Sequence, residues 1–566
     1  MKSNSKIDWS YSLLQSNILA GITVGIIALP LSMALAIAIG VSPQYGLYTA
    51  IVAGIFIALS GSSKVNISGP TAAFVVILLP ITQQHGLGGL LISGIMAGFI
   101  LLAMGLGRLG SLIEFVPYPV TVGFTAGIGT VIATIQITDF LGLTLNATSG
   151  HYIEKVIAIT KALPTIQLDE FFIATLTLLT LMAWPKLKSR IPAHIIALLV
   201  GSIIAWLCSQ FLSDFDVSTI GSRFHYTVGS LSGNGIPPQL PNFQLPWELP
   251  GADGNPIGLS FSLLSELLGP AFTIALLGAL ESLLCAVIAD SMIGTRTDPN
   301  RELIGQGIGN IIIPFFGGIP ATAAIARTAA NIRSGGSLPL ASVVHSIFIM
   351  LSILLLSPLL SYIPMASMAA LLIIVAWNMS EVKHFVHILK VAPKNDIATL
   401  LTCYSLTVLL DMQIAVVVGM VMASILFIKR TIELTGVESA INEGEFNKQY
   451  PDLPDTVIAY KIKGPMFFGV AQTALKILLT TQSKIETVIL DMKEVPIMDM
   501  TGLVAMESII KNFKQKGILL IITNLKPRIK TKFNKIGIRY TENEIEFYRR
   551  LEDGFEKAIK NIQSKK

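Results

Sequence analysis

Arg327 is the residue on which a binding chemistry can be built. It closes Gly317-Gly318-Ile319-Pro320-Ala321-Thr322-Ala323-Ala324-Ile325-Ala326-Arg327, a breaker followed by small residues in a strongly apolar chain. The pattern reads as non-helical backbone leading into a half-helix. Pro320 can open that helix because the first N–H has no intrahelical partner. Arg327 then follows about two turns later, roughly 10 Å along the axis at 1.5 Å per residue. Free N–H groups and the positive end of the helix dipole attract an anion. Small side chains let it approach the backbone, and a guanidinium adds fixed charge and paired donors that suit a carboxylate or sulfate.

The same pattern occurs early, in Ser68-Gly69-Pro70-Thr71-Ala72-Ala73-Phe74. Two interrupted segments in corresponding places of two halves point to a transporter binding site. Small residues also make helix-packing patches, and it is the pair together with Arg327 that favours binding. Thr71 and Thr322 offer hydroxyls at the two helix starts, for substrate or for a neighbouring helix. Ser32, next to the Pro30 kink, faces either a cavity or the carbonyls of its own helix. Glu281 lies in the middle of an apolar span, where a carboxylate is costly and functional by default. A carboxyl out of water favours its neutral form, which suits proton coupling. A proton- or sodium-coupling role facing the Pro320 half-helix is one expectation. A structural hydrogen bond or an ion pair to Arg327 is the other.

These residues need a membrane scaffold to position them. The chain has 566 residues, 52% of them hydrophobic and 13% charged, with a mean hydropathy of +0.68. Soluble chains carry about 25% charge, so this is a polytopic membrane protein. The net charge of +5 is small, and the basic residues fit cytoplasmic loops and tail rather than nucleic acid. Spans of about 20 apolar residues are read near 17–39, 45–62, 70–82, 87–107, 119–142, 170–189, 192–212, 262–289, 302–316, 320–334, 338–361, 365–380, 396–410 and 413–429. Basic residues after the even-numbered spans, such as Lys64, Arg108, Arg296 and Lys429, put that side and both termini in the cytoplasm. The opposite side carries a loop over about 213–261 that has no lysine. Seven spans per half (about 17–212 and 262–429) force an inverted repeat, in which the two half-helix starts meet near the midplane. That is the geometry of alternating access.

About half of the chain's 40 Lys+Arg and 35 Asp+Glu fall after Arg430, as in a soluble domain. The transmembrane domain is read over 1–430, a linker over 431–455 and a small α/β domain over 456–566. Strands are expected at Thr456–Ile462, Thr487–Met492 and Ile518–Thr523, with helices near 470–481, 502–515, 526–535 and a last one to about 562. Between a strand and a helix, Asp499 suits a helix cap and Thr501 the first turn. Capping alone, or a regulatory phosphorylation or partner contact, would explain them.

Several chemistries find no support. Cys208, Cys285 and Cys403 are far apart in apolar segments, with no disulfide framework or metal motif. The run Gly305-Gln306-Gly307-Ile308-Gly309-Asn310 follows no strand and reads as close helix packing, not a nucleotide loop. No nucleophile–base triad is visible, so no enzyme activity is expected. His194 and His345 receive no role. The polar Met1–Gln15 shows no removable signal peptide.

The residues together resemble the SulP anion transporters with a C-terminal STAS domain. The resemblance covers nearly the whole chain. It rests on Ala28-Leu29-Pro30, Pro43-Gln44-Tyr45-Gly46-Leu47-Tyr48, Ser68-Gly69-Pro70-Thr71, the stretch Glu302 to Asn310, the stretch Pro320 to Arg327, and Asp499-Met500-Thr501-Gly502. It implies core and gate domains, an elevator-type movement, and a homodimer in the bacterial inner membrane with cytoplasmic STAS domains open to a protein partner. Gly233-Asn234-Gly235-Ile236-Pro237 and Ala376-Trp377-Asn378-Met379-Ser380-Glu381 resemble a C4-dicarboxylate-transporting branch, implying succinate-like substrates taken up with protons. By position, Thr71, Ala324, Ala326 and Arg327 would line the anion site, with Leu31 and Leu35 facing it from the first span. Glu281 stands where bicarbonate-transporting relatives resemble a sodium-binding aspartate site, and Cys285 where those relatives have a hydroxyl. That departure favours protons over sodium. Met500 and Thr501 replace serines of the STAS loop, against phosphoregulation. Sulfate, bicarbonate or chloride transport, a STAS-linked membrane sensor and an uncoupled anion channel remain the alternatives.

Overall fold

The computed structural model describes residues 11–111, 117–145, 152–187, 189, 191–212, 214–228, 231–410, 412–433, 436–439, 456–466 and 485–565. The chain divides into two compact units, Met1–Ala423 and Ser424–Lys566.

The first half of the membrane unit holds α1 (Tyr11–Ala38), α2 (Pro43–Ser60), the two-residue strand β1 (Ser68–Gly69), α3 (Ala72–Leu106), α4 (Tyr118–Phe140), the short α5 (Tyr152–Ala162), α6 (Leu168–Ala183) and α7 (Ala193–Phe211). The connecting loop carries the one-turn α8 (Ile220–Arg223) and a hairpin of β2 (His225–Val228) and β3 (Leu231–Asn234). The second half follows with α9 (Phe261–Ile293), α10 (Pro299–Ile312), β4 (Thr322–Ala323), α11 (Ile325–Arg333), α12 (Leu340–Leu360), α13 (Met365–Met379), the short α14 (Val382–Val391), α15 (Lys394–Leu409) and α16 (Met412–Glu433).

Among the described residues, nine helical stretches are long and apolar enough to cross a bilayer. One of them, α3, is two spans. Gly86 has φ 67° and breaks it, as a residue with a Cβ could not do without strain. With the shorter α10, α11 and α15, and with α16, the fourteen expected segments are all present. In each half a short helix, α5 or α14, precedes the last two spans. Gly88 at one end of α3 donates to Pro250 O at 3.0 Å, and Gly110 beyond the other end donates to Asn300 Oδ1 at 3.0 Å. The 87–106 segment between them is about 30 Å long at 1.5 Å per residue, the thickness of a bilayer core. The long loop and the turns near 110 and 300 therefore lie on opposite faces.

Helix contacts sort the spans into two groups. One is α1, α2, α3, α9, α10, α11 and α12; the other is α4, α6, α7, α13 and α15. Each repeat contributes its first four spans to the first group. The core group packs tightly because small residues line its seams: Gly305 faces the backbone of Gly61, and Gly307 faces that of Gly98 and Leu102. The Gly305–Asn310 run is thus a packing surface.

The second unit has a five-stranded sheet ordered β5 (Gly436–Ser439), β6 (Val457–Lys463), β7 (Thr487–Glu494), β8 (Leu519–Thr523) and β9 (Ile545–Tyr548). The β5–β6 pair is antiparallel and the others are parallel. Helices α17 (Met500–Lys516), α18 (Pro527–Lys535) and α19 (Leu551–Lys565) accompany it. Strands β7 and β8 are almost wholly buried, as expected for parallel strands covered on both faces. The expected linker needs correction. Residues 431–433 end α16, and Gly436–Ser439 pair with β6, so the second unit begins well before 456. Strand β9 is a further element the sequence reading lacks, a four-residue strand with Glu546 paired inside it. That carboxylate is buried, accepts from Tyr548 Oη at 2.7 Å and lies 3.4 Å from Lys557 Nζ. Burial and Glu546 push the Tyr548 phenol up. The helix expected near 470–481 lies outside the described residues. Asp499 caps α17 by accepting from Gly502 N at 2.8 Å, and Thr501 is half-buried in its first turn.

Candidate functional site

The two breaker segments meet. Strands β1 and β4 pair antiparallel, with Ser68 opposite Ala323 and Gly69 opposite Thr322. All four residues are buried. The pairing continues at one end, where Ala324 N donates to Ile67 O at 2.9 Å and Ile67 N donates to Thr328 Oγ1 at 3.0 Å. Pro70 and Pro320 keep the residues before them extended, and buried backbone in that form needs partners from outside. Side chains supply them. Asn310 Nδ2 donates to Ala321 O at 2.9 Å and its Oδ1 accepts from Ala321 N at 2.8 Å. Thr49 Oγ1 accepts from Ile319 N at 2.7 Å, and Gln306 Nε2 donates to Ser68 Oγ at 3.3 Å. Asn310→Ala leaves both polar groups of Ala321 unmet, at a cost of about 3 kcal/mol. Its thermal unfolding in detergent should move to a clearly lower temperature; an unchanged midpoint would show that the strand stands without Asn310.

The helix starts differ from the expectation in one respect. Helix α3 begins at Ala72 with Thr71 as N-cap, close to its predicted start. Helix α11 begins at Ile325, with Ala324 as N-cap, not at Pro320. Residues 322–323 are taken into β4 because pairing with β1 satisfies their backbone better than an early helical turn. Arg327 therefore sits in the first turn of α11, not two turns in. Thr322 is likewise not at a helix start: its hydroxyl lies 2.6 Å from Ser282 Oγ and donates to Gly278 O at 3.2 Å. The N–H groups of Ile325, Ala326 and Arg327, and those of Ala72 and Ala73 on α3, have no partner among the described residues.

Arg327 is 3% exposed and has no ion pair among the described residues. Its Nη2 donates to Pro70 O at 3.1 Å and to Ser32 Oγ at 3.4 Å. Ser32 thus faces Arg327 rather than the carbonyls of its own helix. One arm of the guanidinium fork is spent on the opposite half-helix, so the open bidentate fork expected from sequence is absent. Nη1 has no partner among the described residues. A Cβ on Gly69 would run into Nη1. Gly69→Val should displace the guanidinium and depress anion uptake by about tenfold or more, since misplacement by an ångström is costly. Uptake at the wild-type rate would show that the arginine moves freely.

Glu281 is half-buried on α9 and accepts from Thr71 Oγ1 at 2.9 Å. It therefore serves the Pro70 half-helix, where the Pro320 half-helix was expected, and the alternative of an ion pair to Arg327 is not what the structure has. The next residue, Ser282, accepts from Ala323 N at 3.2 Å, so α9 touches both segments. Cys285 Sγ donates to Thr328 Oγ1 at 3.2 Å and to Asn66 Oδ1 at 3.6 Å. Ala324 is half-buried and Ile325 and Ala326 are exposed, so the start of α11 is open to approach. On α1, Leu31 is half-buried and Leu35 is 3% exposed within the core.

Sequence reasoning missed Asn310, Gln306, Ser282 and Glu302. Glu302 is 1% exposed and accepts from the N–H groups of Ser62 and Ser63, both at 2.9 Å, and from Asn66 Nδ2 at 3.1 Å. It holds the turn leading into β1. A carboxylate, a glutamine and an asparagine spaced four apart on one apolar helix were the available signal. Asp499 and Thr501 lie in the second unit and belong to no site with these residues.

The Sulfate permease family model matches residues 14–402, and the STAS domain model matches residues 449–554. The chain is 40% identical over 536 residues to YvdB of Bacillus subtilis, a protein assigned to sulfate transport by name alone, covering 94% of this chain and 96% of YvdB. It is 28% identical over 549 residues to the bicarbonate transporter BicA of a Picosynechococcus species, covering 93% of this chain and 91% of BicA. The solved transmembrane domain of a cyanobacterial BicA superposes with a TM-score of 0.59 at 27% identity, covering 73% of this chain and 98% of that one. The inward-facing murine Solute Carrier 26 family member A9 superposes with a TM-score of 0.82 at 18% identity, covering 100% of this chain and 92% of that one, a likeness of fold.

Proposed function

This chain belongs to the sulfate permease family and carries a C-terminal STAS domain, and on that premise we propose that it is a secondary active carrier of small oxyanions. The observation that carries the reading is the β1–β4 pair, which brings two half-helix starts and a buried arginine to one place inside a membrane unit. The anion lies against the free N–H groups of α11 and α3. Arg327 acts as a fixed charge immediately behind them, and Thr71, Ala324 and Ala326 line the approach. The group of α1, α2, α3 and α9 to α12 is the core and carries this site past the other group, the gate, in an elevator-like movement. Glu281 is the coupling carboxyl, and a proton is its ion. A thiol at Cys285 offers a hard cation no oxygen, which supports protons over sodium.

The names of the relatives favour sulfate or bicarbonate as substrate, and a C4-dicarboxylate such as succinate comes after them. The protein is proposed to work as a homodimer in a bacterial inner membrane, with its termini in the cytoplasm. Uptake of labelled sulfate, bicarbonate, succinate and chloride into proteoliposomes at two external pH values tests the reading. Concentrative flux of one of them supports a carrier. Binding without flux would make the chain a STAS-linked receptor, and current without accumulation would make it a channel.

A further inference from the structure

We propose that His345 completes the anion site as a proton acceptor behind Arg327, so that the carrier takes a divalent anion together with a proton. The inference rests on the reading of Arg327 as the charge that draws the anion. His345 lies on α12, is 0% exposed, and neither of its ring nitrogens has a hydrogen-bond partner among the described residues. Buried polar groups almost always have partners, and one left without calls for an explanation. The ring stands over Gly54 of α2, with Nδ1 3.3 Å from where a Cβ on Gly54 would lie. One turn earlier on the same helix, Ala50 lies near Arg327: a Cβ built on Gly69 would run into Nη1 and would lie 3.7 Å from Ala50 Cα. Two buried groups without partners, the imidazole and one guanidinium nitrogen, thus stand against the small-residue face of α2, one turn apart along it. The neighbouring hydroxyls do not serve the ring. Ser342 donates to Gly54 O, and Ser346 donates to Ala50 O and Ser342 O.

Charge balance gives this arrangement a use. Arg327 offsets one negative charge. A dianion leaves a second charge uncompensated in a medium where isolated charge is costly. A proton from water adds to a ring nitrogen of His345 as the dianion arrives, and returns to water when the dianion leaves. With no anion present, a second buried cation on the same face of α2 as Arg327 would have nothing to offset it. On the helices packed against α12, the other titratable groups among the described residues are Tyr11 on α1 and Tyr45 and Tyr48 on α2. Arg327 is the charged group beside that face of α2, and Glu281 is engaged with Thr71.

Calorimetry of sulfate binding to the full-length protein, in two buffers of different ionisation enthalpy, counts the protons taken up per anion. His345→Gln and His345→Asn keep an amide near one ring nitrogen or the other but cannot take a proton. Both should bind one proton fewer per sulfate than the wild type, and bind sulfate about tenfold more weakly, within the usual range for two coupled groups. The wild-type proton count in both variants would overturn the proposal. So would a wild-type protein that binds chloride or bicarbonate but neither sulfate nor succinate. Arg327→Ala separates the two layers of the argument. If it keeps full sulfate affinity, the anion-site reading itself falls; if it loses affinity while His345→Gln keeps the wild-type proton count, only the assignment of His345 falls.

Discussion

Arg327→Ala should abolish anion binding and uptake while the protein still folds. The guanidinium is buried, has no ion pair among the described residues, and stands in the first turn of α11. Removing it takes away an uncompensated charge, so the variant does not strand a partner carboxylate in the core. What it leaves unmet is one lone pair each on Pro70 O and Ser32 Oγ. The anion loses the full positive charge of a buried guanidinium. Truncating one side of a buried, hydrogen-bonded charge interaction costs about 2–5 kcal/mol, or roughly 30-fold to several thousand-fold in Kd. Arg327→Lys should recover part of this, because an ammonium restores the charge but is a point charge without the second nitrogen, Nη1, that the guanidinium holds free among the described residues. Titration of purified protein and labelled uptake both read the effect. Wild-type affinity in Arg327→Ala would mean that the anion binds elsewhere.

Glu281→Gln should uncouple the carrier. The amide can still accept from Thr71 Oγ1, so the start of α3 keeps its hydrogen bond. What disappears is the ability to take up and release a proton as the site changes sides. One pH unit is worth about 1.36 kcal/mol, enough for about tenfold accumulation when one proton accompanies one anion charge. With a monovalent anion such as bicarbonate, whose one charge Arg327 offsets without a proton on His345, wild-type proteoliposomes under such a gradient should approach that ratio, and Glu281→Gln should fall back to a ratio of about one. Full accumulation by the variant would leave Glu281 as a structural acceptor for Thr71 and move the coupling to another group.

The expectations that survived rest on physics that is local in the chain. Apolar length fixes a span whatever surrounds it, so the fourteen segments and the break at Gly86 follow from the residues alone. Proline and glycine at 69–70 and 317–320 forbid continuous helix there, and odd-numbered halves oblige the two breaks to face each other. Arg327 and Thr71 are legible from the two breaker segments, Ser32 from the Pro30 kink beside it, and Glu281 because a carboxylate is expensive in lipid. The strands read in the soluble tail were rich in β-branched residues. Those that were missed, β5 and β9, carry weak local signals and are held by pairing to neighbours.

The errors share one cause. Whether helix α11 opens at Pro320 or at Ile325 depends on whether β1 is present to take up Thr322 and Ala323. Whether Glu281 turns to Thr71 or to Arg327, and whether the arginine fork points outward or spends one arm on Pro70, depends on the packing of α9, α11 and α1 around that pair. The sequence by itself determined that two broken helices and one buried arginine must exist within a membrane, because hydropathy, backbone sterics and desolvation act residue by residue. The tertiary structure alone decided which hydrogen-bond partner each buried polar group found, because such partners lie hundreds of residues apart and are chosen by three-dimensional proximity.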